Sequence, residues 1–465
     1  MTRYHVVGIG GMGMSAVARL LLARGDAVSG SDRGAWPLAR ALAADGARVA
    51  TSFDGANVDE ADVVIRSSAY GDGNAEVAAA RARGIPVWKR EDAWRELAAG
   101  KRVIAVAGTH GKSTTTALVW TALRAGGLEP SLICGAVLRD LGTNAYAGTG
   151  DTLVIEADEY DRAFLALAPE VALVTNVEHD HVDVFPTRAD VDAAFRGFAE
   201  RVVSGGRIVA CADDAGAARL AADAGAGRSA VTYGTVATAT YRILGLVERA
   251  EGVTFSLAGP FEARVGVALR LAGAHNARNA AGALAVGDAL GVAPSIAATA
   301  LASFGGTERR LEDLGEVGGI SVVDDYAHHP TEIRASIAAV RPRVQRGRVV
   351  VLFQPHTASR LRAFFDDFAR ALRTADLSVV AETFASAREA PDDRAGARAL
   401  AAKAGGAYAA DPESAAQALA ERVRPGDLVL VLGAGDIRPA GLRLLALLRD
   451  REPVPRPGGG DRRGA

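Results

Sequence analysis

The chain has 465 residues, of which 49% are hydrophobic, with 53 basic and 55 acidic residues and a formal net charge of -2. This length and composition suggest a globular protein of about three domains, and the balanced charge gives no reason to expect a nucleic-acid partner. Because we find no basic and apolar leader and no long apolar span, we expect a cytoplasmic protein that does not enter a membrane. The cysteines, Cys134 and Cys211, lack CxxC spacing, so we expect buried thiols.

Short runs rich in Val and Ile alternate with stretches of helical period along most of the chain, which predicts an α/β protein with parallel sheets. We predict four segments: 1–98, 99–306, 307–450 and a disordered Pro- and Gly-rich tail, 451–465. The predicted strands are 4–7, 62–66, 103–106, 153–155, 171–175, 207–210, 320–323, 349–353, 377–380 and 428–432. Residues 241–271 resemble antiparallel hairpins.

The first predicted strand runs into a glycine-rich loop, Gly8-Ile-Gly10-Gly11-Met12-Gly13, and Asp32 follows about 20 residues later. This pattern satisfies the dinucleotide fingerprint and so favours an NAD-dependent dehydrogenase. The same loop can also cradle any other pyrophosphate, including that of a uridine-diphosphate sugar. Both readings stay open at this point.

A second loop follows the strand at 103–106 and reads Gly108-Thr109-His110-Gly111-Lys112-Ser113-Thr114. Backbone N–H groups at the start of a helix can face phosphates, Lys112 can bridge β and γ oxygens, and Ser113 can reach Mg²⁺. Val106 stands where the common P-loop has glycine, so a shorter variant loop fits better. The sequence therefore predicts ATP as a ligand, and the alternative is an ordinary solvated strand-to-helix turn.

Acidic clusters follow the next two strands, at Glu156-Ala-Asp158-Glu159-Tyr160-Asp161 and around His181. Mg²⁺ prefers oxygen ligands and shares them with phosphates. We therefore predict Glu156 as the metal partner of Ser113 and His181 as a further ligand. Asp180 and Asp183 are candidate orienters of His181.

Several polar motifs later in the chain also follow predicted strands. The stretch around His275 and Asn279 is read either as a helix N-cap or as a platform for adenine. Arginine suits phosphate and carboxylate recognition through its fixed fork of donors, although a surface salt bridge is the alternative for any one of them. The candidates in the last segment are Arg309, Arg310, Tyr326, His328, His356, Arg360 and Arg362.

Taken together, seven ordered motifs resemble the Mur ligase family. They are GIGGMGMS at 8–15, GTHGKSTT at 108–115, EADEYD at 156–161, HDHVD at 179–183, GAHNARNA at 273–280, DDYAHHPTE at 324–332 and FQPH at 353–356. The resemblance implies an N-terminal Rossmann-like domain for a UDP-sugar, a central P-loop ATPase-type domain, and a C-terminal Rossmann-like domain that closes and binds the amino acid. Two positions depart from the family pattern: Tyr160 replaces a serine, and Thr357 and Ala358 replace an Arg-Tyr pair.

Within the family, the motifs look most like the branch that joins L-alanine to the lactoyl carboxylate of UDP-N-acetylmuramate in peptidoglycan precursor synthesis. The resemblance implies ATP as cosubstrate, Mg²⁺ or Mn²⁺, an acyl-phosphate intermediate, and a monomer or weak homodimer. The implied catalytic residues are Lys112, Glu156, His181, His328 and Arg360, with metal bound at Ser113, Glu156 and His181. The implied ATP contacts are residues 108–114, His275, Asn279 and Arg310. The implied UDP-sugar contacts are Gly10, Gly11, Met12, Ser15 and Asp32. The implied amino-acid contacts are Tyr326, His328, Arg360 and Arg362.

Three other functions remain possible on the sequence. A dehydrogenase would not need the second loop and the acidic clusters. A recycling relative would attach a preformed peptide to the same sugar nucleotide, and FQPH and HHPTE argue for the single amino acid. A non-enzymatic nucleotide switch would not need the N-terminal pyrophosphate loop.

Overall fold

The computed structural model describes residues 1–225, 227–384 and 396–451. Backbone contacts divide the chain into two compact units, Met1–Arg310 and Leu311–Ala465. The first unit contains a five-stranded and a ten-stranded sheet, and the second contains a six-stranded sheet. The α/β class with three sheet-based domains is confirmed. None of the helices in the described ranges is long and apolar enough to span a bilayer.

The N-terminal sheet is parallel throughout and has the strand order β3-β2-β1-β4-β5. Its elements are β1 (Arg3–Val7), α1 (Met12–Ala23), β2 (Ala27–Ser31), α2 (Pro37–Ala44), β3 (Arg48–Ala50), a 3-10 turn (Gly55–Val58), β4 (Val63–Arg66), α3 (Ala75–Ala82), β5 (Val87–Lys89) and α4 (Arg90–Ala98). The order reverses at β1, so the glycine loop that follows β1 lies at the crevice where open α/β sheets bind ligands.

The second sheet of the first unit has the order β15-β14-β13-β12-β11-β10-β6-β9-β7-β8. Its strands are β6 (Arg102–Ala107), β7 (Ser131–Leu138), β8 (Thr143–Tyr146), β9 (Thr152–Glu156), β10 (Val171–Val174), β11 (Arg207–Cys211), β12 (Ser229–Gly234), β13 (Tyr241–Arg249), β14 (Gly252–Ala258) and β15 (Val265–Leu269). Its helices are α5 (Lys112–Ala125), a 3-10 segment (Tyr160–Ala166), α6 (Arg188–Glu200), α7 (Ala215–Ala222), α8 (Ala274–Ala289) and α9 (Pro294–Leu301). β13, β14 and β15 pair antiparallel, as predicted for 241–271.

The position of β6 decides where the chemistry can occur. β6 pairs in parallel with β10 on one side and β9 on the other, so the segments that follow these three strands meet at one edge. β6 is apolar and buried along nearly its whole length because helices cover both faces of the sheet. α5 is buried on most sides, and the small residues of α8 allow the two helices to pack closely.

The second unit has the strand order β16-β17-β21-β18-β19-β20, with β16 antiparallel to β17 and the other neighbours parallel. Its strands are β16 (Glu312–Val317), β17 (Ile320–Asp325), β18 (Val349–Phe353), β19 (Leu377–Ala381), β20 (Ala407–Ala409) and β21 (Leu428–Leu432). Its helices are α10 (Pro330–Val340), a 3-10 turn (Arg341–Arg343), α11 (Ala358–Ala363), α12 (Phe365–Leu372), α13 (Ala397–Ala404), α14 (Pro412–Ala420) and α15 (Arg438–Arg451).

Both faces of this second-unit sheet are covered. Val349, Val351 and Phe353 pack into one hydrophobic cluster, whereas Val350 and Leu352 pack into another on the opposite face. The predicted disordered tail lies outside the described residues, except that Arg451 is the last residue of α15.

Candidate functional site

The loop between β6 and α5 has a backbone that only glycine suits at two positions. Gly108 has φ 139° and Gly111 has φ 79°. A Cβ at Gly108 would lie 1.9 Å from Thr175 Oγ1, and one at Gly111 would lie 3.0 Å from Asn279 Oδ1. Gly111 is also the N-cap of α5 and has no side chain to cap the helix. The first N–H groups of α5 are therefore left for an anion, as a phosphate site requires.

Residues that follow β10 hold this loop in place. The backbone N–H of His110 donates to Asn176 Oδ1 at 2.8 Å, and Thr175 Oγ1 donates to the His110 carbonyl at 2.6 Å. The His110 ring lies 3.0 Å from the Glu178 carboxylate, and Thr109 Oγ1 also bonds the Glu178 backbone. The sequence interpretation missed Thr175, Asn176 and Glu178, because only the pairing of β10 with β6 brings them to the loop.

Lys112 points into an acidic cluster. Its Nζ donates to the Gly108 and Thr109 carbonyls at 2.7 and 3.1 Å and lies 2.8 Å from Glu159 Oε2. Burial lowers the pKa of Lys112, but the Glu159 and Asp158 carboxylates outweigh that effect and raise it overall. Lys112 is therefore held as a charged ammonium at the phosphate loop, and Glu159 is a partner that the sequence interpretation did not select.

Ser113 and Glu156 meet as the sequence predicted. Ser113 Oγ donates to Glu156 Oε1 at 3.1 Å, and the Gly135 N–H donates to Glu156 Oε2 at 2.7 Å. Neighbouring ligands of an octahedral Mg²⁺ at about 2.1 Å lie about 3 Å apart. The two oxygens of Ser113 and Glu156 therefore have a type and spacing that fit a magnesium ion.

His181 belongs to the same cluster. Its Nε2 lies 3.6 Å from Glu159 Oε1, and its backbone has an unusual positive φ of 51°. The Tyr160 ring packs edge-on against the His181 ring with centroids 5.2 Å apart, and the Tyr160 hydroxyl donates to Asp183 at 3.2 Å. The departure at Tyr160 thus places a phenol beside His181. Asp180 accepts from the backbone N–H of His181.

The predicted adenine platform forms the first turns of α8. Asn276 donates from its amide to the Ala272 carbonyl at 2.8 Å, and Asn279 donates to Asn276 at 3.1 Å. Asn279 also lies against Gly111, at the phosphate end of the predicted nucleotide site. Arg278, which the sequence interpretation did not select, lies 2.6 Å from the Asp213 carboxylate.

Arg310 lies at the end of a segment that is hydrogen-bonded to the C-terminal end of β7. The Arg139 N–H donates to the Gly306 carbonyl, and the Glu308 N–H donates to the Val137 carbonyl. The charge of Arg310 acts on Cys134, although burial and Glu156 dominate and raise the pKa of that thiol. Cys134 Sγ lies 3.8 Å from Glu156 Oε2, so the charge of Arg310 acts close to the predicted metal site. Both cysteines are buried and neither forms a disulfide, as predicted.

The N-terminal glycine loop is stabilised by Asp32. The Gly10 N–H donates to Asp32 Oδ2 at 2.9 Å, and the Arg33 N–H and the Trp36 indole donate to Oδ1. Asp32 is buried, and its carboxylate stabilises the loop by accepting these three hydrogen bonds. Ser15 donates to the Met12 carbonyl.

Asn144, on β8, connects this loop to the second sheet. Its amide donates to the Met12 carbonyl at 2.6 Å and to Ser15 Oγ at 3.2 Å. Asn144 is completely buried. Nothing in its local sequence marks it, because its partners lie about 130 residues earlier in the chain.

In the second unit, three of the predicted amino-acid-binding residues lie close together. The His328 ring lies 5.5 Å from the Tyr326 ring and 6.2 Å from the His356 ring, centroid to centroid. Arg360 is 5% exposed and donates to the His356 carbonyl at 3.1 Å. Arg362, two residues later on α11, lies instead on the exposed side of that helix. The structure thus groups Tyr326, His328 and Arg360.

Three family models match the chain in order. "Mur ligase family, catalytic domain" matches residues 3–102, "Mur ligase middle domain" matches residues 106–287, and "Mur ligase, glutamate ligase domain" matches residues 309–435. Together they match most of the described sequence.

Curated relatives match over nearly the full length. The chain is 42% identical to a UDP-N-acetylmuramate--L-alanine ligase of Roseiflexus castenholzii, over 96% of this chain and 97% of the relative. It is 45% identical to a protein of the same name from a Nocardioides species, over 96% of each chain. The crystal structure of the Thermotoga maritima UDP-N-acetylmuramate-alanine ligase superposes with a TM-score of 0.80 at 27% identity and covers 97% of this chain and 100% of that one.

Proposed function

The chain belongs to the Mur ligase family, and we propose that it is the ATP-dependent ligase that joins L-alanine to the lactoyl carboxylate of UDP-N-acetylmuramate. The reaction supplies a precursor of peptidoglycan. The observation that carries the reaction class is the cluster of Lys112, Ser113 and Glu156 at the phosphate loop, with Ser113 Oγ 3.1 Å from Glu156. The choice of sugar nucleotide and amino acid rests on relatives at 42–45% identity over 96% of the chain.

The chemistry requires activation of a poor electrophile. A carboxylate oxygen of UDP-N-acetylmuramate attacks the γ-phosphorus of ATP, the bond to the bridging oxygen breaks, and ADP leaves. The amine of L-alanine then attacks the carbonyl carbon of the acyl phosphate. The amine loses a proton, inorganic phosphate leaves, and the amide remains. Positioning and charge neutralisation dominate the first step.

We assign the phosphoryl-transfer role to the residues around the phosphate loop. The N–H groups of residues 108–114 hold the β- and γ-phosphates, and Lys112 neutralises charge between them. Ser113, Glu156 and His181 would hold Mg²⁺, or Mn²⁺ in its place, which supplies further neutralisation of the phosphate charge. Lys112 must exchange part of its contact with Glu159 for the phosphates. Asn279 and Arg310 are assigned to the phosphate end of ATP and His275 to adenine.

The other two substrates are assigned to the outer segments. The N–H groups around Gly10 and Gly11, with Met12 and Ser15, bind the UDP-sugar, and Asp32 acts on it through Gly10. Tyr326, His328 and Arg360 orient L-alanine, with Arg362 at the margin. The segments 1–98, 99–306 and 307–450 then correspond to UDP-sugar, ATP and amino-acid domains. We further propose a cytoplasmic monomer or weak homodimer that needs no nucleic acid or membrane.

A substrate panel tests the proposal. We expect phosphate release from ATP only when both UDP-N-acetylmuramate and an amino acid are present, fastest with L-alanine. Glycine lacks one methyl group, which a pocket distinguishes by about 10- to 200-fold. Faster release with a tripeptide than with L-alanine would establish the recycling relative instead, and release independent of the amino acid would contradict a ligase.

Removal of divalent cations tests the assignment of Ser113 and Glu156. Because a bound metal contributes several kcal/mol to neutralising a phosphoryl group, we expect excess EDTA to lower turnover on the order of 100-fold or more. Added Mg²⁺ or Mn²⁺ should restore it. Undiminished turnover in EDTA, measured by phosphate release, would contradict the metal assignment.

A further inference from the structure

Arg90, the first residue of α4, lies between the first turn of α1 and the acidic segment that follows β9. Its Nη2 donates to Asp158 Oδ2 at 2.9 Å. On the other side, a Cβ built on Gly13 would lie 3.0 Å from Arg90 Cδ and 3.3 Å from Nη1, so the side chain packs against the first turn of α1. The guanidinium carbon lies 4.6 Å from the centre of the buried Trp94 ring. Stacking on Trp94 fixes the plane of the guanidinium between its two neighbours.

Asp158, the partner of Arg90, belongs to the environment of Lys112. The Asp158 carboxylate accepts from Arg90 on one side. Its charge also acts on Lys112, the lysine that we assign to the phosphates of ATP. A second basic residue, Lys89, lies 3.5 Å from Asp161 in the same acidic segment. Asp161 and Arg162 both adopt left-handed backbone conformations, with φ of 54° and 56°.

We propose that Arg90 is a positioning residue that couples the UDP-sugar site to the ATP site, so that occupation of either site increases affinity at the other. The inference rests on the proposed function and adds a residue that links its two phosphate sites. Arg90 compensates the charge of Asp158, which would otherwise compete with the phosphates for Lys112. Its other edge faces the first turn of α1, where a pyrophosphate would bind.

We expect the coupling between the two sites to be positive because one guanidinium can contact two anions. Arginine presents five N–H donors in a rigid fork, so it can contact a carboxylate and a phosphate at once, whereas a lysine ammonium is a single point charge. A pyrophosphate at α1 and the Asp158 carboxylate would contact opposite edges of this one fixed guanidinium. The position of Asp158, and through its charge that of Lys112, is then set before ATP binds, which is the source of the coupling.

The test is a set of binding measurements on the full-length protein. The Kd of the non-hydrolysable ATP analogue AMP-PNP with Mg²⁺ is measured by calorimetry, with and without saturating UDP-N-acetylmuramate. We expect the wild type to bind AMP-PNP about 5- to 150-fold more tightly when the sugar nucleotide is present, the usual range for coupled sites. In Arg90→Gln this ratio should fall close to one.

Three further variants separate coupling from a structural effect. Arg95→Gln, at an exposed arginine on the same helix that pairs with the partly exposed Asp92, is the matched control and should keep the wild-type ratio. Arg90→Lys keeps the charge and should fold. Its ratio of AMP-PNP Kd values without and with UDP-N-acetylmuramate should nevertheless lie well below that of the wild type. Arg90→Gln should also weaken AMP-PNP binding itself, because Asp158 then competes for Lys112. Adding Asp158→Asn should restore that affinity without restoring the ratio.

The outcomes distinguish this inference from the proposed function. A wild-type ratio of one, or an unchanged ratio in both Arg90 variants, would overturn the coupling role while leaving the ligase assignment intact. If the wild type bound AMP-PNP but not UDP-N-acetylmuramate at millimolar concentration, the proposed function itself would fail. If Arg90→Gln did not fold, the ratio in Arg90→Lys would decide the question.

Discussion

Lys112→Ala is expected to lower turnover by roughly 10³-fold or more, the scale of removing one cation that neutralises charge in phosphoryl transfer. The reason is geometric as well as electrostatic, because Lys112 Nζ bonds the Gly108 and Thr109 carbonyls within the phosphate loop itself. Binding of UDP-N-acetylmuramate should change little, since its assigned loop follows β1. Phosphate release measures the first effect and calorimetry the second.

The buried partner of Lys112 complicates this experiment in a predictable way. Glu159 is 2% exposed, and removal of one member of a buried pair costs roughly 3–5 kcal/mol of unfolding free energy. Lys112→Met combined with Glu159→Gln removes both charges and should recover much of the stability without recovering turnover. Lys403→Ala, at an exposed lysine of the second unit, is the control. Turnover near the wild-type rate in either Lys112 variant would contradict the assigned role.

Glu156→Gln is expected to lower turnover on the order of 10²-fold or more and to raise the Mg²⁺ concentration needed for half-maximal activity. The substitution keeps the shape of the side chain but removes the charge. It can also place an NH₂ group toward the Gly135 N–H, where a carboxylate oxygen now accepts. A magnesium titration of phosphate release measures both effects.

Two other variants show whether the position of Glu156 matters as well as its charge. A Cβ on Gly135 would lie 2.6 Å from Glu156 Oε1, so Gly135→Ala should displace the carboxylate and raise the magnesium requirement without changing any charge. Glu170→Gln, which loses only a half-exposed pair with Arg102, should behave like the wild type. An unchanged magnesium requirement in both Glu156→Gln and Gly135→Ala would exclude Glu156 as a ligand.

The strands predicted from the sequence are present, and β16 is one of those that the prediction omitted. β6 and β18 were found because buried parallel strands are continuous apolar runs. β16 was missed because its sequence, EDLGEV, lies at the edge of its sheet and is largely exposed. An edge strand has a neighbour on one side only and needs few apolar residues.

The amino-acid sequence by itself determined the α/β class, the two glycine loops, and the positions of Ser113 and Glu156 after predicted strands. Each depends on local information: apolar periodicity, glycines where φ is positive, and polar residues directly after a strand. Tertiary structure alone decided that Glu159 holds Lys112, that Asn176 and Glu178 brace the loop, and that Arg90 and Asn144 connect the two sheets. These contacts join residues about 50 to 130 positions apart. Which strand ends become neighbours depends on the order of strands in the sheet, and no short stretch of sequence records that order.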